Sequence, residues 1–196
     1  MNQMSLAPKH SANEKAETLY ARLKLLTPGL LNDEILARML ANWGAGFGAL
    51  PACMGLDRKN YRFMLLRHFS AIDLPEVAPS GIIDDPRRQP ERADLRSLLL
   101  DHRANADISE EWIADIVVAA CMGANHLWQD LGLWSRRDLS GLVVANFPAL
   151  AARNDRNMKW KKFFYKQLCI LEGLYICRSP SCQACVDYRE CFCPED

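Results

Sequence analysis

The sequence predicts an all-α fold, a single domain of six or seven helices followed by an irregular cysteine-rich segment. Apolar residues recur at three- and four-residue intervals through most of the 196 residues, and no stretch alternates with the period of two typical of strands. Five of the eight cysteines lie in the last twenty residues. We therefore assign residues 1–176 to the helical domain, with residues 1–12 expected to be disordered, and residues 177–196 to a cysteine-rich tail packed on it.

The first three helices have clear start signals. Ser11 and Glu14 have capping-box spacing, and the apolar stripe that follows is ended by Pro28. A second helix is expected to begin at Asn32 and to end in a glycine-rich turn. Asp57 can cap the third helix through its carboxylate.

The second half of the domain is expected to begin after a connection. The stretch from Ser70 to Pro90 contains four prolines and no apolar period, so we expect it to have no element of its own. Four further helices follow, with the last running from Asn157 to Glu172. Their predicted starts are Pro90, Ser109, Ser135 and Asn157.

Composition limits the classes of function. The chain has 24 basic and 24 acidic residues, and this zero net charge argues against a nucleic-acid partner or an anionic membrane surface. Residues 1–15 contain no apolar run of signal-peptide length, and nowhere do about eighteen consecutive apolar residues occur. We expect a cytoplasmic protein without membrane or nucleic-acid partners, in which clustered cysteines are reduced and serve as metal ligands.

The tail cysteines have ligand spacing. Cys177, Cys182, Cys185 and Cys191 form the pattern C-x4-C-x2-C-x5-C, with Cys193 just beyond. Four thiolates this close can hold zinc or an iron–sulfur cluster. Structural zinc sites usually pair two C-x2-C knuckles a dozen or more residues apart, so the contiguous arrangement favours a cluster. A zinc or disulfide staple for the tail is the alternative.

A basic, aromatic run precedes the tail. Its cations are Arg156, Lys159, Lys161, Lys162 and Lys166. They are interleaved with aromatic residues, and such a local charge could attract an anionic cluster, an oxyanion or an acidic partner. The plainer interpretation is the solvated face of an amphipathic helix.

Three histidines lie in or beside apolar stripes. His68, His102 and His126 are candidate nitrogen donors to a metal position that lacks a thiolate, with His126 favoured because it stands in a polar run. Each could equally be a satisfied buried histidine. We interpret the three other cysteines as small buried apolar residues: Cys53, Cys121 and Cys169.

Longer motifs carry a family resemblance. The run from Met158 to Tyr165, then Leu168-Cys169, then the four-cysteine pattern, resembles the carboxy-terminal signature of the NifQ family. The run from Cys121 to Leu133 and the tripeptide Asn146-Phe147-Pro148 also resemble that family. The likeness covers at least residues 56–191.

The resemblance implies a molybdenum donor. NifQ-like proteins carry a cluster of the Mo-3Fe-4S type, with molybdate as the metal source, and deliver molybdenum for assembly of the iron–molybdenum cofactor of nitrogenase. The implied acceptors are the scaffold NifEN and the reductase NifH, and the implied action is stoichiometric, not enzymatic. The implied ligands are Cys177, Cys182, Cys185 and Cys191, while Cys193 stands where the family pattern has glycine.

A hypothesis for the site follows from ligand chemistry. Three irons need three thiolates, while a molybdenum corner accepts oxygen or nitrogen donors and must later let go. We expect the first three tail cysteines to hold iron, Cys191 or Cys193 to complete the site, and His126 or His102 to approach molybdenum. The alternative is a zinc-stabilised interaction module, colourless, whose basic helix binds an acidic partner or nucleic acid. A redox enzyme is disfavoured because no cofactor motif such as a glycine-rich phosphate loop is visible.

Overall fold

A computed structural model describes residues 7–70, 72–77 and 85–171. Over these residues the chain forms helices and turns and no strand, which confirms the all-α prediction. The α-helices are α1 (Ala7–Leu26), α2 (Asp33–Gly44), α3 (Arg58–Phe69), α4 (Gln89–Leu100), α5 (Ser109–Cys121), α6 (Leu127–Asp130), α7 (Arg136–Asn146), α8 (Pro148–Ala151) and α9 (Trp160–Leu171). Two short 3₁₀ turns cover Ala52–Gly55 and Pro86–Arg88.

The seven predicted helices correspond to α1–α5, α7 and α9. The described residues contain two more, α6 and α8, each a single turn of four residues. The second 3₁₀ turn, Pro86–Arg88, lies in the stretch that was predicted to have no element. It forms there because the Asp85 carboxylate accepts a hydrogen bond from the Arg87 amide and so caps the turn.

Two helix starts differ from prediction. Helix α1 begins at Ala7, so residues 7–12, expected to be disordered, are helical. Helix α9 begins at Trp160 and not at Asn157, because Asn157 has a left-handed φ of 52° that a right-handed helix excludes. Residues 1–6 and the tail from 177 to 196 lie outside the described residues.

Helix α5 lies at the centre of the domain. Eleven of its thirteen residues are buried, and the two that are not, Glu111 and Asp115, lie on one face and pair with Arg103 and Arg96. Helices α3, α4 and α6 pack around it, together with the 3₁₀ turn at Ala52–Gly55. None of the described helices is long and apolar enough to cross a membrane.

Helix α9 closes one side of this core. It packs on α4, and its first turns bury Trp160, Phe163, Phe164 and Tyr165. The Trp160 ring meets the Phe163 ring edge-on, with centroids 5.7 Å apart, and its indole N–H donates to the Ser140 hydroxyl of α7 at 2.9 Å. The helix that leads toward the tail is therefore firmly seated where it begins.

Candidate metal centre

The tail cysteines lie beyond the described part of the chain. The predicted ligands Cys177, Cys182, Cys185, Cys191 and Cys193 all fall there, so their role stays a prediction. Within residues 7–70, 72–77 and 85–171, no group of three or more His, Cys, Asp or Glu side chains is placed to hold a metal ion. What the structure adds is the surroundings of α9, whose last residue is six positions before Cys177.

The loop that carries His126 is held by a lysine of α9. The Lys161 ammonium donates to the carbonyl oxygens of Gly123 at 2.9 Å and Asn125 at 3.0 Å, and to the Asp130 carboxylate at 2.8 Å. We call these four residues the lysine bracket. It joins the α5–α6 loop to the first turn of α9, across 31 positions of sequence.

The carboxylate of the lysine bracket is completely buried. Besides the ammonium, Asp130 receives the Asn125 backbone N–H at 3.1 Å and the Asn125 side-chain amide at 3.1 Å. A buried charge is tolerated only when it is paired and hydrogen-bonded in this way. Gly123 completes the fit, since a Cβ there would lie 2.5 Å from the Asp130 carboxyl carbon.

A second cation holds the same loop from the side of α4. Arg88 donates to the Met122 carbonyl at 2.7 Å and forms two bonds to Glu91, at 2.8 and 2.7 Å. The Tyr165 hydroxyl of α9 donates to Glu91 as well, and burial, followed by the nearby Cys121 and Glu91, raises the pKa of this phenol. The carbonyl groups at the carboxyl end of α5 have no partner within the helix, and cations there serve as partners while interacting favourably with the negative end of the helix dipole.

His126 is the predicted histidine closest to this arrangement. It is half-buried and immediately precedes α6, and its backbone N–H donates to the Gln129 side chain at 3.2 Å. Its backbone lies between Asn125 and Asp130, both in the lysine bracket. The structure therefore fixes His126 relative to α9 and leaves its side chain partly accessible.

The other two histidines are placed differently. His102 is half-buried just after α4, with Nδ1 2.8 Å from the Leu98 carbonyl oxygen. His68 is fully buried in α3, where Nδ1 lies 2.6 Å from the Asp33 carboxylate and the ring packs edge-on against Trp112. Its Nε2 is buried without a hydrogen-bond partner. This enclosure favours a structural role for His68.

The basic run divides into different environments. Arg156 and Lys166 are exposed, and Lys159 and Lys162 are half-buried. Lys161 differs from the prediction of a docking residue: only 14% of its side chain is exposed, and the lysine bracket occupies its ammonium. Lys161 therefore has a structural role, whereas Arg156 and Lys166 present their charges to solvent.

The described cysteines are not alike. Cys53 and Cys121 are buried, as predicted, and burial raises the pKa of both thiols, that of Cys121 to about 12. A thiol that resists deprotonation is a poor nucleophile and metal ligand. Cys169, near the end of α9, is only partly buried, so the prediction of a buried residue is wrong there.

Sequence reasoning missed the residues that organise the loop. Asp130, Arg88 and Glu91 received no role, although Asp130 stands in a polar run within apolar surroundings. Such a run signals buried polar groups that need partners. It does not say that the partner is Lys161.

Comparisons with known proteins agree across most of the chain. A family model described as NifQ matches residues 35–193. Protein NifQ of Azotobacter vinelandii is 44% identical over 167 residues, covering 80% of this chain and 86% of that protein. Protein NifQ of Rhodobacter capsulatus is 37% identical over 161 residues, covering 82% and 87%, and that of Klebsiella pneumoniae 36% over 164 residues, covering 80% and 96%. No solved structure matches the chain.

Proposed function

The chain belongs to the NifQ family, which implies a role in nitrogen fixation, and on that premise we propose that it carries a Mo–Fe–S cluster and donates molybdenum to the iron–molybdenum cofactor of nitrogenase. It would act in the cytoplasm as a stoichiometric carrier, taking molybdenum that originates as molybdate. Its acceptors would be the scaffold NifEN and the reductase NifH. The cluster is cargo, gained and lost in each delivery.

The observation that carries the proposal is the extent of the family match. It reaches residue 193 and so includes all five tail cysteines. Thiolates are the usual ligands of iron in clusters, and Cys177, Cys182 and Cys185 would hold three irons. Cys191 or Cys193 would complete the site as the ligand that exchanges on delivery.

The position of His126 supports its proposed role as a nitrogen ligand of molybdenum. Its loop is bound through the lysine bracket to α9, and the last residue of α9 precedes Cys177 by six positions in sequence. A nitrogen donor on a rigid support is suited to a corner of the cluster that has no thiolate. His102, half-buried after the helix on which α9 packs, is the alternative donor.

Anaerobic reconstitution tests the proposal. The full chain is incubated with iron, sulfide, reductant and molybdate, and is then analysed by absorbance, electron paramagnetic resonance and elemental analysis. We expect a brown protein that holds iron and molybdenum and loses molybdenum to NifEN in the presence of NifH. A colourless protein with zinc as its only metal would refute the carrier function.

Variants of the same chain assign the ligands. His126→Ala should lower molybdenum per protein while iron content is kept, and His102→Ala is the matched comparison. If molybdenum content and transfer are unchanged in His126→Ala, His126 does not belong to the site. Cys191→Ser and Cys193→Ser, compared side by side, identify the fourth thiolate by which of them loses cluster.

A further inference from the structure

A basic cavity lies beside α9, apart from the lysine bracket, and we propose that it binds molybdate as the oxyanion before the metal enters the cluster. The cavity has a volume of about 280 Å³, and its charged lining is Arg153, Arg156, Lys166 and Asp155. This proposal rests on the proposed function, because that function supplies the identity of the oxyanion. The site itself follows from the charges and geometry of this face.

The loop that presents the two arginines is held in one conformation. The Asn154 side chain accepts the Met158 N–H at 2.8 Å and donates to the Met158 carbonyl at 3.0 Å. Arg136 donates to the Asn157 carbonyl at 2.8 Å from the neighbouring α7. A loop fixed from within and from α7 loses little conformational entropy when it binds an anion.

The charge of the cavity matches a dianion. Arg153, Arg156 and Lys166 contribute three positive charges and Asp155 one negative charge, which leaves a net charge of two positive. In the described part of the chain, no ion pair engages Arg153 or Arg156, and both are exposed. A guanidinium offers a planar fork of donors, which suits the oxygens of a tetrahedral oxyanion.

The apolar part of the lining strengthens these charges. It comes from Met158, Phe163 and Ile170, and the Lys166 ammonium lies 3.9 Å from the Met158 sulfur. Apolar side chains lower the local dielectric and so strengthen the attraction between cation and anion.

The cavity is close in sequence to the predicted cluster ligands. Ile170 is in the last turn of α9, seven residues before Cys177. Lys166 and Lys161 are five residues apart, about 140° around a helix, so the cavity and the lysine bracket occupy different sides of α9. Substitutions in the cavity can therefore be made without touching the lysine bracket.

Binding to the metal-free full chain tests the proposal. Molybdate affinity is measured by equilibrium dialysis, with sulfate and phosphate as competitors, for the natural chain and for Arg153→Gln with Arg156→Gln. We expect the double variant to lose about tenfold or more in molybdate affinity, since it removes two guanidinium donors of charge-assisted hydrogen bonds. The control is Arg96→Gln on α4, another solvent-accessible arginine, which should bind as the natural chain does.

Each outcome decides something. Equal affinity in the double variant and in the control would overturn the site, whereas competition by sulfate, another tetrahedral dianion, is the expected result for a site built on charge and shape. Arginine-dependent binding of an acidic protein without any oxyanion binding would reassign the face to partner docking and overturn the proposal. Molybdate binding by a chain that never assembles a Mo–Fe–S cluster would overturn the proposed function and leave the oxyanion site standing. A chain that binds no oxyanion but receives and delivers a preassembled cluster would overturn the oxyanion site and leave the proposed function standing.

Discussion

Two of the three buried carboxylates among the described residues, Asp33 and Asp130, are satisfied by different kinds of partner. Asp33 receives the backbone N–H groups of Gly29 at 2.8 Å and Leu30 at 2.7 Å, together with Nδ1 of His68. Asp130 receives a lysine ammonium from α9 and two bonds from Asn125. Each cluster combines local bonds with one distant partner, 35 positions away for Asp33 and 31 for Asp130, and the difference is that this partner is an imidazole in the first and an ammonium in the second.

The difference shows how a histidine near a buried carboxylate should be interpreted. His68 is itself a partner of Asp33 and is enclosed by Trp112, so it is used in folding. Asp130 is satisfied without a histidine, so His126, four residues away, remains partly accessible on a rigid loop. A histidine that stays partly accessible on a hydrogen-bonded loop is a better candidate for metal chemistry than a fully enclosed one.

The largest effect is expected from breaking the Asp130 cluster. Lys161→Met keeps the apolar stem but leaves the Asp130 carboxylate buried without a counter-charge. We expect the free energy of unfolding to fall by about 3–5 kcal/mol, the usual consequence of removing one partner of a buried pair. Urea unfolding followed by circular dichroism measures this loss.

The control for this variant is on the same helix. Lys166→Met removes an exposed cation, and its effect should stay within about 0.5 kcal/mol. Equal losses for the two variants would show that the lysine bracket contributes no more than a surface charge. Adding Asp130→Asn to Lys161→Met should recover part of the loss, because the buried charge is then gone.

A smaller loss is expected at the Asp33 cluster, because His68 contributes a hydrogen bond there, whereas Lys161 contributes the counter-charge of Asp130. His68→Ala removes one bond to Asp33 and opens a cavity beside Trp112, and we expect a loss of about 2–4 kcal/mol. The same urea titration applies. Metal loading of the protein that stays folded should be unchanged, and a specific loss of molybdenum would return His68 to the list of donors.

A glycine tests how tightly the Asp130 cluster is packed. Gly123→Ala places a methyl group against a carboxylate that Lys161 and Asn125 hold in position, so we expect a loss of about 1–3 kcal/mol. Gly141→Ala is the matched comparison, since a Cβ there meets nothing within 4 Å inside α7. It should raise stability by up to about 1 kcal/mol, as alanine favours a helix over glycine. Similar melting temperatures for the two variants would contradict the close packing.

The smallest effect concerns acid stability beside Asp33. Burial raises the pKa of the Glu34 carboxyl, but hydrogen bonds from Lys24, Tyr20 and Arg38 outweigh it and lower the pKa from 4.5 to about 2. Because this pKa is lower in the folded chain than in the unfolded chain, the stabilisation is complete above pH 4.5 and is lost as the pH falls toward 2. The side chain is 41% exposed, so screening limits the contribution to about 1 kcal/mol or less.

The measurement compares the natural chain with Glu34→Gln at pH 6 and at pH 3. Between pH 6 and pH 3 the free energy of unfolding should fall less in the variant than in the natural chain, and the two falls should differ by up to about 1 kcal/mol. Parallel losses would show that Glu34 has an ordinary pKa in the folded chain.

The long helices were predictable because each buries one face. Apolar spacing located α1–α5, α7 and α9, and capping by Asp57 and Ser135 is confirmed by hydrogen bonds to the amides of Asn60 and Asp138. Helices α6 and α8 were not predicted because four residues cannot display a period of 3.6. The bounds of α9 depended on the backbone of Asn157, which its amino-acid type alone does not determine.

The site was less predictable than the fold. Lys161 and Lys162 are adjacent in sequence, yet the partners of Lys161 lie 31 to 38 positions upstream and no local pattern reveals them. The buried pairing of His68 with Asp33 is equally nonlocal. The cysteine spacing and the family motifs, in contrast, are local in sequence, and they supplied the prediction for the tail.

The lysine bracket also gives α9 a gradient of local stability. Its first turn is secured by Lys161 and buried aromatic rings, while Ile170 and Leu171 in its last turn are largely exposed. The Phe163 amide proton, which is bonded to the Lys159 carbonyl and buried, should therefore exchange with solvent only when the whole domain opens, and amide protons near Leu171 should exchange by fraying of the last turn. A helix of this kind can rearrange at its carboxyl end, where cargo would be gained and lost, at no cost to the core that holds its amino end.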